Sequence, residues 1–411
     1  MCKQDRRSGI VHGFIVITIG REYASAGQGG IMIKFKIDKQ DLVSVFQMIK
    51  SAASEKNSVK SIDVKVENNK LTATLSNPDD SLEIWRECIG ECTGDFSMDS
   101  SQIPLLTEFP GEELEIIVRE NMVYIHSVGK ATKFSLTSVT TSKNTYNEEG
   151  LVSILEIAES RIKGLFDSLS SYLAPLDTRV MLNSFYVDNK NHKILATNGY
   201  VIASRNVNIS ELGFPFYLSK VQYARLKKCL TSDNFLRIET NESMVRFSSR
   251  GICYRIKRDK TPYLKYGDML KMSARNRCKL DRDVLLPILT YCTKYRKDNS
   301  TPVHIANVGE ALSLYMVDGE FQSLDALVMT EHDFSDNLIV SVDPALLEMI
   351  CKTMPDGWID VSFGGVLKPI VVRGILHEFI LLPVQSKFKE EELRSMMCEF
   401  LKSQIPETNA S

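Results

Sequence analysis

Acid–base or nucleophilic catalysis needs a histidine, carboxylate or thiol placed within reach of a second such group. The six histidines of this 411-residue chain, His12, His126, His192, His304, His332 and His377, are isolated, with no HExxH pattern and no recognisable Ser or Cys partner. The nine cysteines (Cys2, Cys88, Cys92, Cys229, Cys253, Cys278, Cys292, Cys351, Cys398) are scattered and odd in number. Only Cys88 and Cys92 lie close together, and no histidine nearby completes a zinc site. The expectation is free thiols in a reducing cytoplasm, no metal and no cofactor. What does cluster is charge. Bases gather at Arg225, Lys227 and Lys228, at Lys271, Arg275, Arg277, Lys279 and Arg282, and at Lys294, Arg296 and Lys297. Acids gather at Asp79-Asp80, Glu148-Glu149 and Glu390–Glu392, so a formal charge of −2 hides an uneven distribution. Such runs are either solvated helix faces or a surface that meets phosphates.

The first 31 residues stand apart. Ile15–Tyr23 reads as a strand running into a glycine turn, and resembles the opening of cytidylate-kinase-like nucleotide kinases. A phosphate-binding loop needs Lys and Ser/Thr after its last glycine, and Gln28-Gly29-Gly30-Ile31 supplies neither. The apolar run is also short for a signal peptide and lacks a cleavage pattern. Residues 1–31 are therefore read as an extension or misassigned start, with the folded part beginning near Met32.

The elements that position these charges recur. Amphipathic helices begin near Asp38, Ile157 and Leu280, 119 and 123 residues apart, each with apolar residues at i, i+3/i+4 and i+7. Shorter helices begin near Asp99, Ser219 and Asp343; Ser219 and Asp343 suit N-caps, and Pro344 suits a first turn. After each comes a hairpin with period-two alternation (Leu114–Ile125, Leu236–Phe247, Ile359–Ile370), then a further strand (Ala131–Leu136, Ile252–Ile256, His377–Leu382). The polar joins are Ser142–Glu149 and Lys271–Lys279. This predicts an α+β chain of three tandem repeats, each with two helices packed on antiparallel sheets, over residues 32–145, 149–272 and 278–385, followed by a helical extension at 386–411. No uninterrupted apolar run of about 18 residues suggests a membrane helix.

Within this frame, Asp177-Thr-Arg-Val-Met-Leu182-Asn183 and Ala196-Thr197-Asn198-Gly199-Tyr200 are similar to the D-x-R-x-x-L-N and A-T-D-G-H-R-L segments of the bacterial DNA polymerase III beta subunit, the sliding clamp. Phe379-Ile-Leu-Leu-Pro383-Val resembles that family's closing strand, and Met32–Leu42 resembles its start. The resemblance spans about Met32 to Gln385. It implies a homodimeric ring of six similar units, with helices lining a hole that holds double-stranded DNA without reading sequence. It implies no enzymatic activity and no membrane association. The helix bases it places toward DNA are Lys39 and Lys50; Arg161, Lys163, Arg225, Lys227 and Lys228; and Arg282, Lys294, Arg296, Lys297 and Lys352.

The resemblance further implies a pocket between the second and third repeats that takes linear motifs of the DNA polymerase III alpha subunit and the clamp loader. Carried over by motif, its residues are Leu182, Thr197, Gly199, Tyr200, Val201, Ile202, Pro262 (in Lys260-Thr-Pro-Tyr, like the family's F-P-D-Y), Val366, Ile380, Leu382, Pro383 and Val384. Three departures stand out: Tyr200-Val201-Ile202 replaces His-Arg-Leu, Asn198 replaces Asp, and the chain continues past the closing strand. In that tail Leu393, Met396, Met397, Phe400 and Leu401 fall on one side of a helical pattern that would cover the pocket, inhibit it in tethered form, or dock elsewhere. Competing readings are a nucleotide enzyme, a clamp-like scaffold that no longer encircles DNA, and a two-repeat clamp closing as a trimer; the last is disfavoured by the count of three repeats.

Overall fold

The computed structural model describes residues 33–53, 61–90, 93–119, 122–127, 133–137, 146–231, 234–271, 276–296, 298, 301–308, 311–317, 323–329, 331–334, 338–355 and 357–404. The expectations for residues 1–31 and for Lys297 lie outside them. The chain divides into two compact units. One holds the residues through Tyr146 together with Ser248–Ile256; the other holds Asn147–Phe247 and the chain from Lys257 onward.

The first repeat runs β1 (Ile33–Asp38), α1 (Lys39–Ala53), β2 (Ser61–Glu67), β3 (Lys70–Ser76), β4 (Asp80–Glu87), β5 (Ile89–Gly90), β6 (Gly94–Asp99), α2 (Ile103–Glu108), β7 (Glu113–Arg119), β8 (Met122–Ser127) and β9 (Lys133–Thr137). Helix α1 forms because Leu42, Val45, Phe46, Ile49 and Ala52 share one face, and each is at most 2% exposed. Fully burying each large one contributes about 1.5–3 kcal/mol. Asp38 caps the helix, its Oδ1 accepting from the backbone N–H groups of Gln40 and Asp41.

The second repeat runs β10 (Val152–Ala158), α3 (Glu159–Asp167), α4 (Val180–Asn183), β11 (Ser184–Asp188), β12 (Lys193–Thr197), β13 (Val201–Asn206), β14 (Phe216–Ser219), α5 (Lys220–Cys229), β15 (Phe235–Thr240), β16 (Met244–Ser249) and β17 (Ile252–Lys257), with α6 (Gly267–Lys271) beyond. Its first helix is shorter than the periodicity from Ile157 to Ala174 predicts. It stops at Ser168, and Ser170–Tyr172 form a 3₁₀ turn. The tighter turn leaves Leu169 and Tyr172 completely buried. Ser219 closes α5 with a capping box, accepting from the Gln222 N–H while Gln222 Oε1 accepts from the Ser219 N–H.

The third repeat runs β18 (Asn276–Asp281), α7 (Arg282–Tyr295), β19 (Val303–Val308), β20 (Ala311–Val317), β21 (Ser323–Met329), β22 (Glu331–Phe334), β23 (Ile339–Val342), α8 (Pro344–Thr353), β24 (Trp358–Phe363), β25 (Ile370–Arg373) and β26 (His377–Leu381). Asp343 caps α8 and Pro344 fills its first turn. The tail supplies α9 (Glu390–Gln404).

Pairing follows one plan. In each repeat a three-strand meander (β2-β3-β4, β11-β12-β13, β19-β20-β21) has its first strand paired with the strand leading into the second helix: β6, β14 or β23. The last meander strand then meets the next repeat's closing strand. Strand β4 pairs antiparallel with β17, Ile84 opposite Ile252, and β13 pairs with β26, Ile202 opposite Ile380. Among the described residues, β21 and β9 are sheet edges, each paired on one side.

Candidate functional site

The motif residues of the second and third repeats meet where β13 pairs with β26. The turn Asn198–Tyr200 is built by its own side chains. Asn198 Oδ1 accepts from the Tyr200 and Val201 N–H groups, at 3.0 and 2.9 Å. Thr197 Oγ1 accepts from Gly199 N and donates to Val201 O at 2.7 Å. Gly199 sits at φ 92°, where any side chain would be strained. Asn198, in place of the expected Asp, supplies this turn with the same acceptor. Leu382 N–H then donates to Tyr200 O at 3.0 Å, which seats Leu382–Val384 beside the turn.

Burial divides the expected pocket residues. Leu182, Thr197, Val201, Ile202 and Ile380 are at most 8% exposed and belong to the core. Tyr200 (64%), Val366 (51%) and Leu382 (38%) are apolar groups presented to solvent, with Gly199 and Pro262 also exposed and Pro383 and Val384 half-buried. One reason for the burial was not legible in the motifs. Tyr266, 7% exposed, packs with Leu195, Ile202 and Ile380, and Tyr263 and Met269 cover the same cluster. Tyr263 stacks on Tyr186 with centroids 4.3 Å apart and planes at 2°. Tyr266 Oη donates to Asp188 Oδ2 at 2.9 Å. The chain's own 263–269 segment thus lies on Ile202 and Ile380, leaving an open cleft of about 450 Å³ beside it, lined by Asp188, Asn191, Lys193 and Lys265 among others. Lys193 is held there by Glu378 at 2.6 Å. Nearby in the D-x-R-x-x-L-N segment, Arg179 grips Asp177 through Nε and Nη2, which holds that carboxyl well below the usual range, at about 2. The aromatic signal was present, as Tyr263 and Tyr266 close behind Pro262, but nothing local said which strands they would cover.

The basic residues also divide. Lys50, Arg161, Lys227, Lys228, Lys294 and Lys352 are exposed; Lys39, Lys163, Arg225 and Arg282 are half-buried. Several tie helices together. Lys163 Nζ donates to Leu230 O, and Lys227 Nζ donates to both oxygens of Asp167 at 2.8 Å, linking α3 to α5. Arg282 Nε donates to Cys351 O, and Lys352 pairs with Glu348 at 2.6 Å. Glu348 also accepts from Thr290 Oγ1, joining α7 to α8. Arg296 Nη1 donates to the Asp343 cap at 2.8 Å, and its side chain is only 8% exposed, so its charge serves the fold.

No family model and no curated protein matches the chain. Solved structures do. The DNA polymerase sliding clamp from Bacillus subtilis superposes with a TM-score of 0.72 at 17% identity, covering 87% of this chain and 100% of that one. The sliding clamp (DNA polymerase III subunit beta) from Pseudomonas aeruginosa bound to griselimycin gives 0.69 at 15%, over 87% and 100%. The DNA polymerase III beta subunit from Thermotoga maritima gives 0.67 at 15%, over 86% and 100%. The chain therefore has the sliding-clamp fold.

Proposed function

We propose that this protein is a DNA sliding clamp: a homodimeric ring that encircles duplex DNA in the cytoplasm and tethers a polymerase and other partners, without catalysing a reaction. One observation carries the reading. The junction between repeats occurs twice within the chain, as β4 with β17 and β13 with β26, and its two halves are left over at the ends as β21 and β9. Joining β21 of one copy to β9 of another by the same antiparallel pairing repeats the junction a third time. A head-to-tail contact of this kind gives a ring when its rotation closes, and it covers both edges.

Side chains support the same join. Counting from the N-caps Ala158 and Asp281, Ser168 and Tyr172 of the second repeat correspond to Tyr291 and Tyr295 of the third. Tyr172 is completely buried, its ring 5.3 Å from Phe379 on β26 and its hydroxyl shared with Met349 O and Thr353 Oγ1 on α8. Tyr291 and Tyr295 are 48% and 51% exposed, their rings 4.4 Å apart. They fit the place that a second copy's closing strand and second helix would cover. The domain limits at 32–145, 149–272 and 278–385 are part of this proposal.

For partners, we assign the exposed apolar surface of Tyr200, Leu382 and Val366 as the docking site for linear motifs of the polymerase III alpha subunit and the clamp loader. Apolar groups beside a backbone turn suit such peptides. For DNA, Lys50, Arg161, Lys228 and Lys294 are the bases we assign to phosphate contact. A scaffold that binds proteins without encircling DNA is the second reading, favoured by the internal pairing of Arg296, Lys227 and Lys352. Retention on nicked circular DNA that is lost when the circle is linearised supports the ring; equal retention on both, or none on either, rejects it.

A further inference from the structure

The tail helix answers a need written into the third repeat. In the first repeat the meander has a polar outer face: Lys65 opposite Thr72, and Thr74 opposite Glu83. In the third, Ala311–Met316 of β20 are buried on both faces. One face looks into the core with Leu312 and Leu314. On the other, register places Tyr315 opposite His304 and Ala306 opposite Ile339. A strand without alternation needs cover on both sides, and α9 supplies the second. Leu393 and Met397, each 2% exposed, pack on Ala306, Tyr315 and Ile339, with Phe388 and Met396 against the same cluster. The side chains of Phe400 and Leu401 lie outside the described residues. The sheet residues of this cluster, Ala306, Tyr315 and Ile339, are separate from the docking residues Tyr200, Leu382 and Val366.

Between β26 and α9 runs Leu382–Lys389, the segment that carries Leu382, Pro383 and Val384. Two backbone bonds hold it: Leu382 N–H to Tyr200 O at 3.0 Å, and Val384 N–H to Ser341 O at 2.8 Å. Ser341 is on β23, part of the sheet under α9, and its Oγ lies 2.8 Å from His304 Nδ1. Phe388 meets that His304 ring edge-to-face, 6.2 Å between centroids.

We propose that α9 is the anchor of the docking surface: by packing on the outer face of β19, β20 and β23 it fixes Leu382–Val384 beside Tyr200, so that this part of the surface is formed before a partner arrives. This rests on reading Tyr200 and Leu382 as a docking site. It makes the tail an element that strengthens binding, in contrast to a cover or tethered inhibitor. An anchored surface loses less freedom on binding, which is how pre-organisation raises affinity.

Two measurements on the full chain test it, with Met397→Glu, the milder Leu393→Ala, and Ser395→Glu on the exposed side as control. Hydrogen exchange reads the anchor without any ligand: the Leu382 and Val384 amides exchange about tenfold faster in Met397→Glu and less so in Leu393→Ala, with no change in Ser395→Glu. Griselimycin, the ligand of the Pseudomonas aeruginosa clamp, is titrated by calorimetry with Tyr200→Ala as the control for its site, and Met397→Glu binds it about fivefold more weakly than wild type. Unchanged exchange in both packing variants overturns the proposal, as does tighter griselimycin binding, which marks the tail as an inhibitor. Faster exchange with no griselimycin binding even in wild type upholds the anchor and counts against the docking reading instead.

Discussion

Tyr172 and Phe379 stand 5.3 Å apart, centroid to centroid, although more than two hundred residues separate them in the chain. The tyrosine closes the first helical segment of the second repeat, and the phenylalanine lies on the closing strand of the third. Their contact is the side-chain signature of one repeat accepting the next.

Removing the buried hydroxyl while keeping the ring, Tyr172→Phe, takes one hydrogen bond each from Met349 O and Thr353 Oγ1, which stay bonded to each other at 2.9 Å, and costs about 1 kcal/mol in urea unfolding. The exposed counterpart behaves differently. Tyr295→Glu leaves the unfolding midpoint of the isolated subunit within experimental error and shifts sedimentation from dimer to monomer. A dimer unchanged by this substitution removes Tyr295 from the interface.

In the first unit, Tyr254 Oη on β17 donates to Asp80 Oδ2 on β4 at 2.7 Å, and Asn77 Nδ2 donates to the other oxygen. Asp80 is 2% exposed. Tyr254→Phe therefore strips a charged acceptor of a buried donor, and a loss of about 2–3 kcal/mol is expected in chemical denaturation. A change below about 0.5 kcal/mol would mean that water replaces the hydroxyl.

Exposed and internally paired bases are expected to separate in salt titrations. The double variant Arg161→Ala, Lys294→Ala reduces the slope of log affinity against log salt by about 2, since each phosphate contact on duplex DNA contributes roughly 0.9. Arg296→Ala leaves that slope unaltered but lowers thermal stability, because Asp343 loses its ion pair at the start of α8. Fluorescence anisotropy over a salt series and a melting curve read the two effects independently.

Two histidines make the fold sensitive to acid. Burial pushes His304 down to about 4, and burial together with the Arg205 charge does the same to His377. In the unfolded chain each returns to an ordinary value near 6.5. Between these values the unfolded state binds more protons, so the contribution is whole above about pH 6.5 and is lost as pH falls toward 4. Each gives up about 2 kcal/mol on going from pH 7 to pH 5. His304→Gln should flatten the stability profile in this window; a profile identical to wild type would show that His304 does not titrate there.

The local pattern alone determined the helices and hairpins. Periodicity marks α1 and α7 because a face of Leu, Val and Phe must be buried wherever it goes, and Ser219 and Asp343 mark caps because their side chains bond within three residues. The tandem order of helix and hairpin, and the tail's helical pattern, were legible for the same reason. What only the tertiary structure decided are relations between segments remote in sequence. Arg296 reads as one of a basic run, yet Asp343 captures it. Ile202 and Ile380 read as pocket lining, but Tyr266 lies over them. Leu393 and Met397 announce a buried face, but only the pairing of β19, β20 and β23 gives that face a surface to meet. Local chemistry fixes what a residue needs; the company that satisfies the need depends on which strands the whole chain brings together.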